Sequence, residues 1–181
     1  MGTRGRGTIT GMLLGSTSLQ VAAYATCPVV VVRGEASNIR GDFSRVTLGV
    51  GGAESAAVEF AFRAAQAREA ELYAVHAWHR LAHDLPGIRH GSGDEPEHGA
   101  QDAERVLDTA LPAAAQDFPK VTVRRETPEG RAHHVLLDAS ARSDLMVVGG
   151  RRGARVGWQL GMVNHAVLHH SACPVAVIPY E

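Results

Sequence analysis

The chain has 181 residues, of which 45% are hydrophobic and 20% charged, and its formal net charge is -1. That suffices for one compact domain with a sizeable core and a remainder, and it excludes a general electrostatic attraction to nucleic acid. Residues 1–10, MGTRGRGTIT, lack the apolar stretch of a secretory signal, and Arg6 stands where a myristoylation signal needs Ser or Thr. No run reaches the ~18 apolar residues of a membrane span. The expectation is a cytoplasmic protein with neither nucleic acid nor membrane as partner.

In chain order, residues 1–33 hold a glycine-bearing start, an apolar helix and the valine strand 28–32. Residues 34–44, GEASNIRGDFS, are polar and read as a linker. A short β-rich run at 45–50 ends at Gly49, Gly51 and Gly52. A helix follows at 54–69, with Ala57, Phe60, Ala61, Ala64 and Ala65 at helical spacing. Residues 71–78 form a second strand, and 80–99, with four glycines and two prolines, read as a loop. Residues 100–116 are helical until Pro112 kinks or ends the helix. A strand at 120–126, a helix at 129–143, an apolar strand at 144–150, a helix at 159–170 and a last strand at 174–179 complete the chain. Five alternations with strands apolar on both faces predict a parallel sheet covered by helices on both sides. Ligands of such sheets sit beyond the carboxyl ends of the strands, where strand order switches.

The chain repeats itself. ATCPVVVV (25–32) returns as SACPVAVI (171–178), with Cys27 and Cys173 standing 146 residues apart. Gly11 aligns with Gly157, Leu14 with Leu160, Gly15 with Gly161 and Val21 with Val167. A repeat this long fits tandem globular domains rather than a solenoid. Residues 1–33 therefore read as the C-terminal remnant of one domain, 34–44 as linker and 45–181 as a complete second domain. This predicts in-frame coding sequence for the missing strands upstream of Met1. The cysteines are expected as a reduced pair of small apolar side chains.

The glycines carry the chemistry. The first copy spaces Gly2, Gly5 and Gly15 before Ser16. A glycine turn leading into a helix offers open amides and the positive end of the helix dipole to phosphate oxygens, and Ser16 adds a hydroxyl. Set beside the Cys-Pro-Val strands, these glycines resemble the G-x2-G-x9-G-[ST] motif of the universal stress protein family. The resemblance covers residues 1–33 and the region from about Arg45 onward. It implies a Rossmann-like, doubly wound sheet of five parallel strands in the order 3-2-1-4-5. It also implies ATP, with Mg²⁺ accompanying it, on the glycine motif, and a regulatory rather than catalytic role in the stress response. The family's last strand commonly pairs with its counterpart in a partner domain, so self-association through residues 174–178 and 28–32 is expected.

In the complete domain the resemblance places the nucleotide among Gly49, Val50, Gly51, Gly52, Ala77, Gly149, Arg151, Arg152, Gly153, Gly161, Met162 and Val163. Two departures bear on it. Gly51 stands where the family's first strand supplies an Asp, and Met162 stands where the first copy has Ser16. Arg151, Arg152 and Arg155 either replace lost phosphate contacts by charge or are solvated loop residues. Trp78 and Trp158 flank the expected ligand loops, to stack on adenine or to pack at the edge. His76, His79 and His83, and His165 with His169, match no strong zinc signature. Two readings result: a module that binds adenine nucleotide, and a domain that has lost the nucleotide and works by association. ATP hydrolysis needs a placed base and metal ligands, and the sequence displays no convincing set.

Overall fold

The computed structural model describes residues 15–52, 55–79, 96–151 and 160–180. Residues 1–33 supply helix α1 (Ser16–Tyr24) and strand β1 (Val29–Val31), and residues 34–44 supply α2 (Ala36–Arg40). Then follow β2 (Arg45–Gly49), α3 (Ser55–Ala67), β3 (Glu71–Val75), α4 (Pro96–Ala110) and α5 (Pro112–Asp117). The last elements are β4 (Val123–Glu126), α6 (Ala132–Ser140), β5 (Leu145–Arg151), α7 (Gly161–His170) and β6 (Val175–Tyr180).

The strands form one sheet in the order β1-β6-β5-β2-β3-β4. Strands β2 to β6 are mutually parallel and lie as the doubly wound reading expects, third, second, first, fourth, fifth. The strand count is six rather than five. The addition is β1, which pairs antiparallel with β6 in the register Val29↔Val177, Val30↔Ala176, Val31↔Val175. An open strand edge is a row of unused donors and acceptors, and β1 takes up the one on β6.

Alternation along each strand divides the core into two layers. Val46, Leu48, Leu72, Ala74, Leu145, Val147, Ala176 and Ile178 pack with Ala61, Phe62 and Ala65 of α3, Leu107 of α4 and Ala114 of α5. Val75, Met146, Val148, Val175 and Val177 face the other way, onto Ala22 of α1, Leu136 of α6 and Val167 and Leu168 of α7. Because β1 pairs in register, Val29 and Val31 join this second layer. At the same sheet face Thr47 Oγ1 lies 2.6 Å from Ser143 Oγ, both buried. Ser143 donates onward to Ala139 O at 2.8 Å, so Thr47 is the donor of the first bond.

Several expectations shift. The helix expected at 100–116 is two, broken at Leu111, because Pro112 has no N–H to continue α4 yet its fixed φ suits the first position of α5. The loop expected at 80–99 is already helical from Pro96, and residues 80–95 lie outside the described residues. The strand expected to reach Trp78 ends at Val75, leaving a single bridge between Trp78 and Glu129.

The segment expected as a linker is not slack. α2 buries Asn38, whose side-chain amide donates to Ser140 O at 3.0 Å, Ala141 O at 3.3 Å and Ser143 O at 2.8 Å. These carbonyls lie at the end of α6, where helical carbonyls lack intrahelical partners. Cys173 is buried, but Cys27 is exposed, so only one member of the pair behaves as a core residue; both are free thiols.

Candidate functional site

The chain runs outward from β2 to β3 and β4, then returns to β5 on the other side of β2. At this switch point a crevice opens beyond the strand ends. Its volume is about 430 Å³, within the range of small-molecule sites. Gly49, Val50 and Gly51 line it from the end of β2, and Val75, His76 and Ala77 from β3. Val148, Gly149 and Arg151 line it from β5, Tyr180 from β6, and Ala132 and Leu136 from α6. Leu160 and Gly161 through Asn164 close it with the start of α7.

Local sequence explains this shape. At Gly49 a Cβ would meet Leu136 Cδ1 at 3.0 Å, so glycine lets α6 approach the strand end. Gly161 has φ +63°, a left-handed conformation that glycine adopts without steric cost, and it opens α7. The first turn of α7 carries no acidic residue, Leu160 offers no side-chain cap, and Gly161 through Asn164 line the crevice, so the positive end of the helix dipole lies at its wall. Asn164, buried one turn along, donates its amide to Gly149 O at 2.7 Å and ties α7 to the β5 end. His76 Nδ1 lies 2.7 Å from Val50 O. A carbonyl only accepts, so Nδ1 carries the proton and donates.

Of the residues expected at the site, Gly49, Val50, Gly51, Ala77, Gly149, Arg151, Gly161, Met162 and Val163 line this one crevice. Gly52 does not. It lines a separate groove between α3 and α4, with Val58, Val106 and Ala110, because the chain has turned toward α3 by that point. Arg152 and Gly153 lie outside the described residues, as do Gly2 and Gly5. Gly15 is the extended residue capping α1, and neither it nor Ser16 lines the crevice. Met162 is 78% exposed. Trp78 does not line the crevice: its indole donates to Thr127 O at 3.0 Å and its ring lies against Gly99 of α4. Trp158 and His83 fall outside the described residues.

His76, Asn164, Tyr180 and Leu136 are lining residues that the glycine spacing does not single out. Asn164 was legible in principle, as a polar residue three positions after a glycine in the first turn of a helix. Among the described residues the crevice lining contains no carboxylate. The histidines of α7 do not line it: His165 lies midway along the helix and His169 and His170 in its last turn. The His165 and His169 rings are 4.4 Å apart, and Arg33, which follows β1, donates to Leu168 O at 2.9 Å beside them. Burial, then the neighbouring His165, His170 and Arg33, holds His169 below the usual histidine range.

The model of the universal stress protein family matches residues 1–33 and 43–179. A universal stress protein of Mycolicibacterium smegmatis is 33% identical over 181 residues, covering 98% of this chain and 60% of that protein. One from Mycobacterium tuberculosis is 35% identical over 182 residues, with the same coverage. The chain thus spans about three fifths of the length of these curated relatives. Among solved structures, the universal stress protein UspA of Lactobacillus plantarum aligns with TM-score 0.60 and 20% identity, over 75% of this chain and 97% of that one. One from Archaeoglobus fulgidus aligns with TM-score 0.60 and 18% identity, over 92% of this chain and 54% of its own. A universal stress protein in complex with cAMP aligns with TM-score 0.56 and 20% identity, over 74% of this chain and 95% of its own. At such identities these structures speak to the fold. Matched along nearly its whole length, the chain belongs to the universal stress protein family.

Proposed function

We propose that the crevice binds an adenine nucleotide, ATP by preference, and that the protein is a regulatory binding module of the stress response rather than a catalyst. The observation that carries this reading is convergence: the Gly49–Gly51 turn, the Gly149–Arg151 strand end and the first turn of α7 meet in one space. Phosphates would lie against the α7 amides and Arg151, where backbone dipoles and a guanidinium favour anions. The nucleoside would lie toward Val50 and Ala77. Mg²⁺ would arrive on the phosphate oxygens, since the described lining offers it no carboxylate. A solved relative of the same fold holds a nucleotide, cAMP, which supports the ligand class.

Residues 1–33 and 45–181 fit a tandem arrangement in which the chain is the second domain with the tail of a first. The β1–β6 pairing then stands in for the edge-to-edge association of two domains. Among the described residues no helix is long and apolar enough to cross a membrane; a cytoplasmic location is part of the same proposal.

Calorimetric titration with ATP, together with assay of the purified protein for co-purifying nucleotide, tests the proposal. Saturable heat supports it. No heat at millimolar ATP would leave the second reading, association without nucleotide. Gly51, which provides no carboxylate, and the exposed Met162, which provides no hydroxyl at the head of α7, favour that reading.

A further inference from the structure

Strand order gives the crevice two distinct ends. Gly149, Arg151 and the first turn of α7 lie on the β5 side, whereas Val50 and His76 follow β2 and β3 on the other. A nucleotide with its phosphates on α7 must direct its base toward β2 and β3. There stands His76, half-buried, its ring held by the bond from Nδ1 to Val50 O. That bond decides the tautomer. With the proton on Nδ1, the neutral ring carries a lone pair on Nε2, and among the described residues Nε2 makes no hydrogen bond. Among the described residues the crevice lining holds no carboxylate, and Gly51 supplies none to accept from the nucleoside.

We propose that His76 reads the base: Nε2 accepts a hydrogen bond from the exocyclic amino group, so the crevice selects 6-amino purine nucleotides. This rests on the nucleotide reading above. Val50 acts through His76 as a positioning residue, since its carbonyl sets which ring nitrogen accepts.

The test compares ATP with purine riboside triphosphate, which lacks only the amino group, by calorimetry on the full chain. The wild-type protein should prefer ATP by about five-fold, the weight of one neutral hydrogen bond. In His76→Phe the two nucleotides should bind alike. In His76→Gln, whose amide can donate to Val50 O and still present an oxygen acceptor, part of the preference should return. The ratio between nucleotides, not the affinity itself, is the readout, so a merely structural role for His76 would leave it unmoved. Equal affinities in the wild type, or the same preference in His76→Phe and wild type, would overturn the assignment while leaving nucleotide binding intact. Failure of both nucleotides to bind the wild type would overturn both.

Discussion

Gly34 has φ +117°, and a Cβ added there would lie 2.0 Å from Ala172 O. The obstacle is backbone and cannot swing aside. The next residue, Glu35, donates its amide to the same carbonyl at 2.8 Å. Gly34→Ala should therefore cost at least ~2 kcal/mol of unfolding free energy, by strain and by displacing this junction. Chemical denaturation of the two proteins measures it, and a change below experimental scatter would show that the junction yields. The glycines of the site can be read from their spacing, but Gly34 cannot, because its need for glycine comes from a carbonyl far along the chain. His76 is similar: it is visible in VHAW as a residue type, yet its tautomer depends on the carbonyl of Val50 across the neighbouring strand end.

At the scale of elements, α2 is the clearest departure from expectation. Its composition reads as linker, and its five residues are too few to persist as a helix on propensity alone. Asn38 holds it by capping the end of α6. Asn38→Ala should cost about 1–3 kcal/mol, the penalty for buried polar groups left without a partner. Asn38→Asp should cost more near neutral pH, because it sets a carboxylate against the same carbonyl oxygens, and it should recover as acid protonates it. If Asn38→Asp were no less stable than Asn38→Ala by thermal melting, the amide contacts would not be what holds α2. The strands themselves were legible because parallel strands buried on both faces leave near-continuous apolar runs. Helix ends were less so, except where Pro112 removes a donor.

Across the whole molecule, titration links the halves. His169 sits where the end of α7 meets Arg33, and its proton affinity is lowered by burial first, then by His165, His170 and Arg33. His133 is lowered too, by desolvation and by His134 and Arg131. A histidine with a lowered folded value binds its proton more readily unfolded. Its contribution is therefore complete above about 6.5, the ordinary histidine value, and is lost as pH falls through that range. In alkali the reverse groups act. Burial pushes the Tyr73 phenol up to about 12 and the Cys173 thiol up to about 11. The unfolded chain then ionises first, and stability falls as pH rises past their ordinary values. Denaturation midpoints should thus decline from neutrality in both directions, and His169→Gln should flatten the shoulder nearest neutrality. An unchanged shoulder in that variant would assign the acid loss to other groups.

The β1–β6 ladder makes a second prediction at this scale. Deleting residues 1–33 uncovers Val175–Val177 along an apolar edge, which should then pair with a second copy. Light scattering should show a higher oligomeric state than for the full chain; an unchanged state would mean that β6 needs no cover.

From its residues alone the chain declared its α/β class with a parallel sheet covered on both faces, its internal repeat and the glycine turns about its crevice, while the order of its five parallel strands came from the family resemblance. The sheet class and the turns are written in local composition: apolar runs, helical spacing, and glycines where backbone must turn or approach a ligand. Only the tertiary structure decided that β1 would become a sixth strand on β6, that α2 would fold against α6, that Gly52 would turn out of the crevice, and that His76 and Asn164 would line it. Each of these depends on a partner distant in sequence, and neither a strand edge nor a free carbonyl leaves any mark on the residues that will come to cover it.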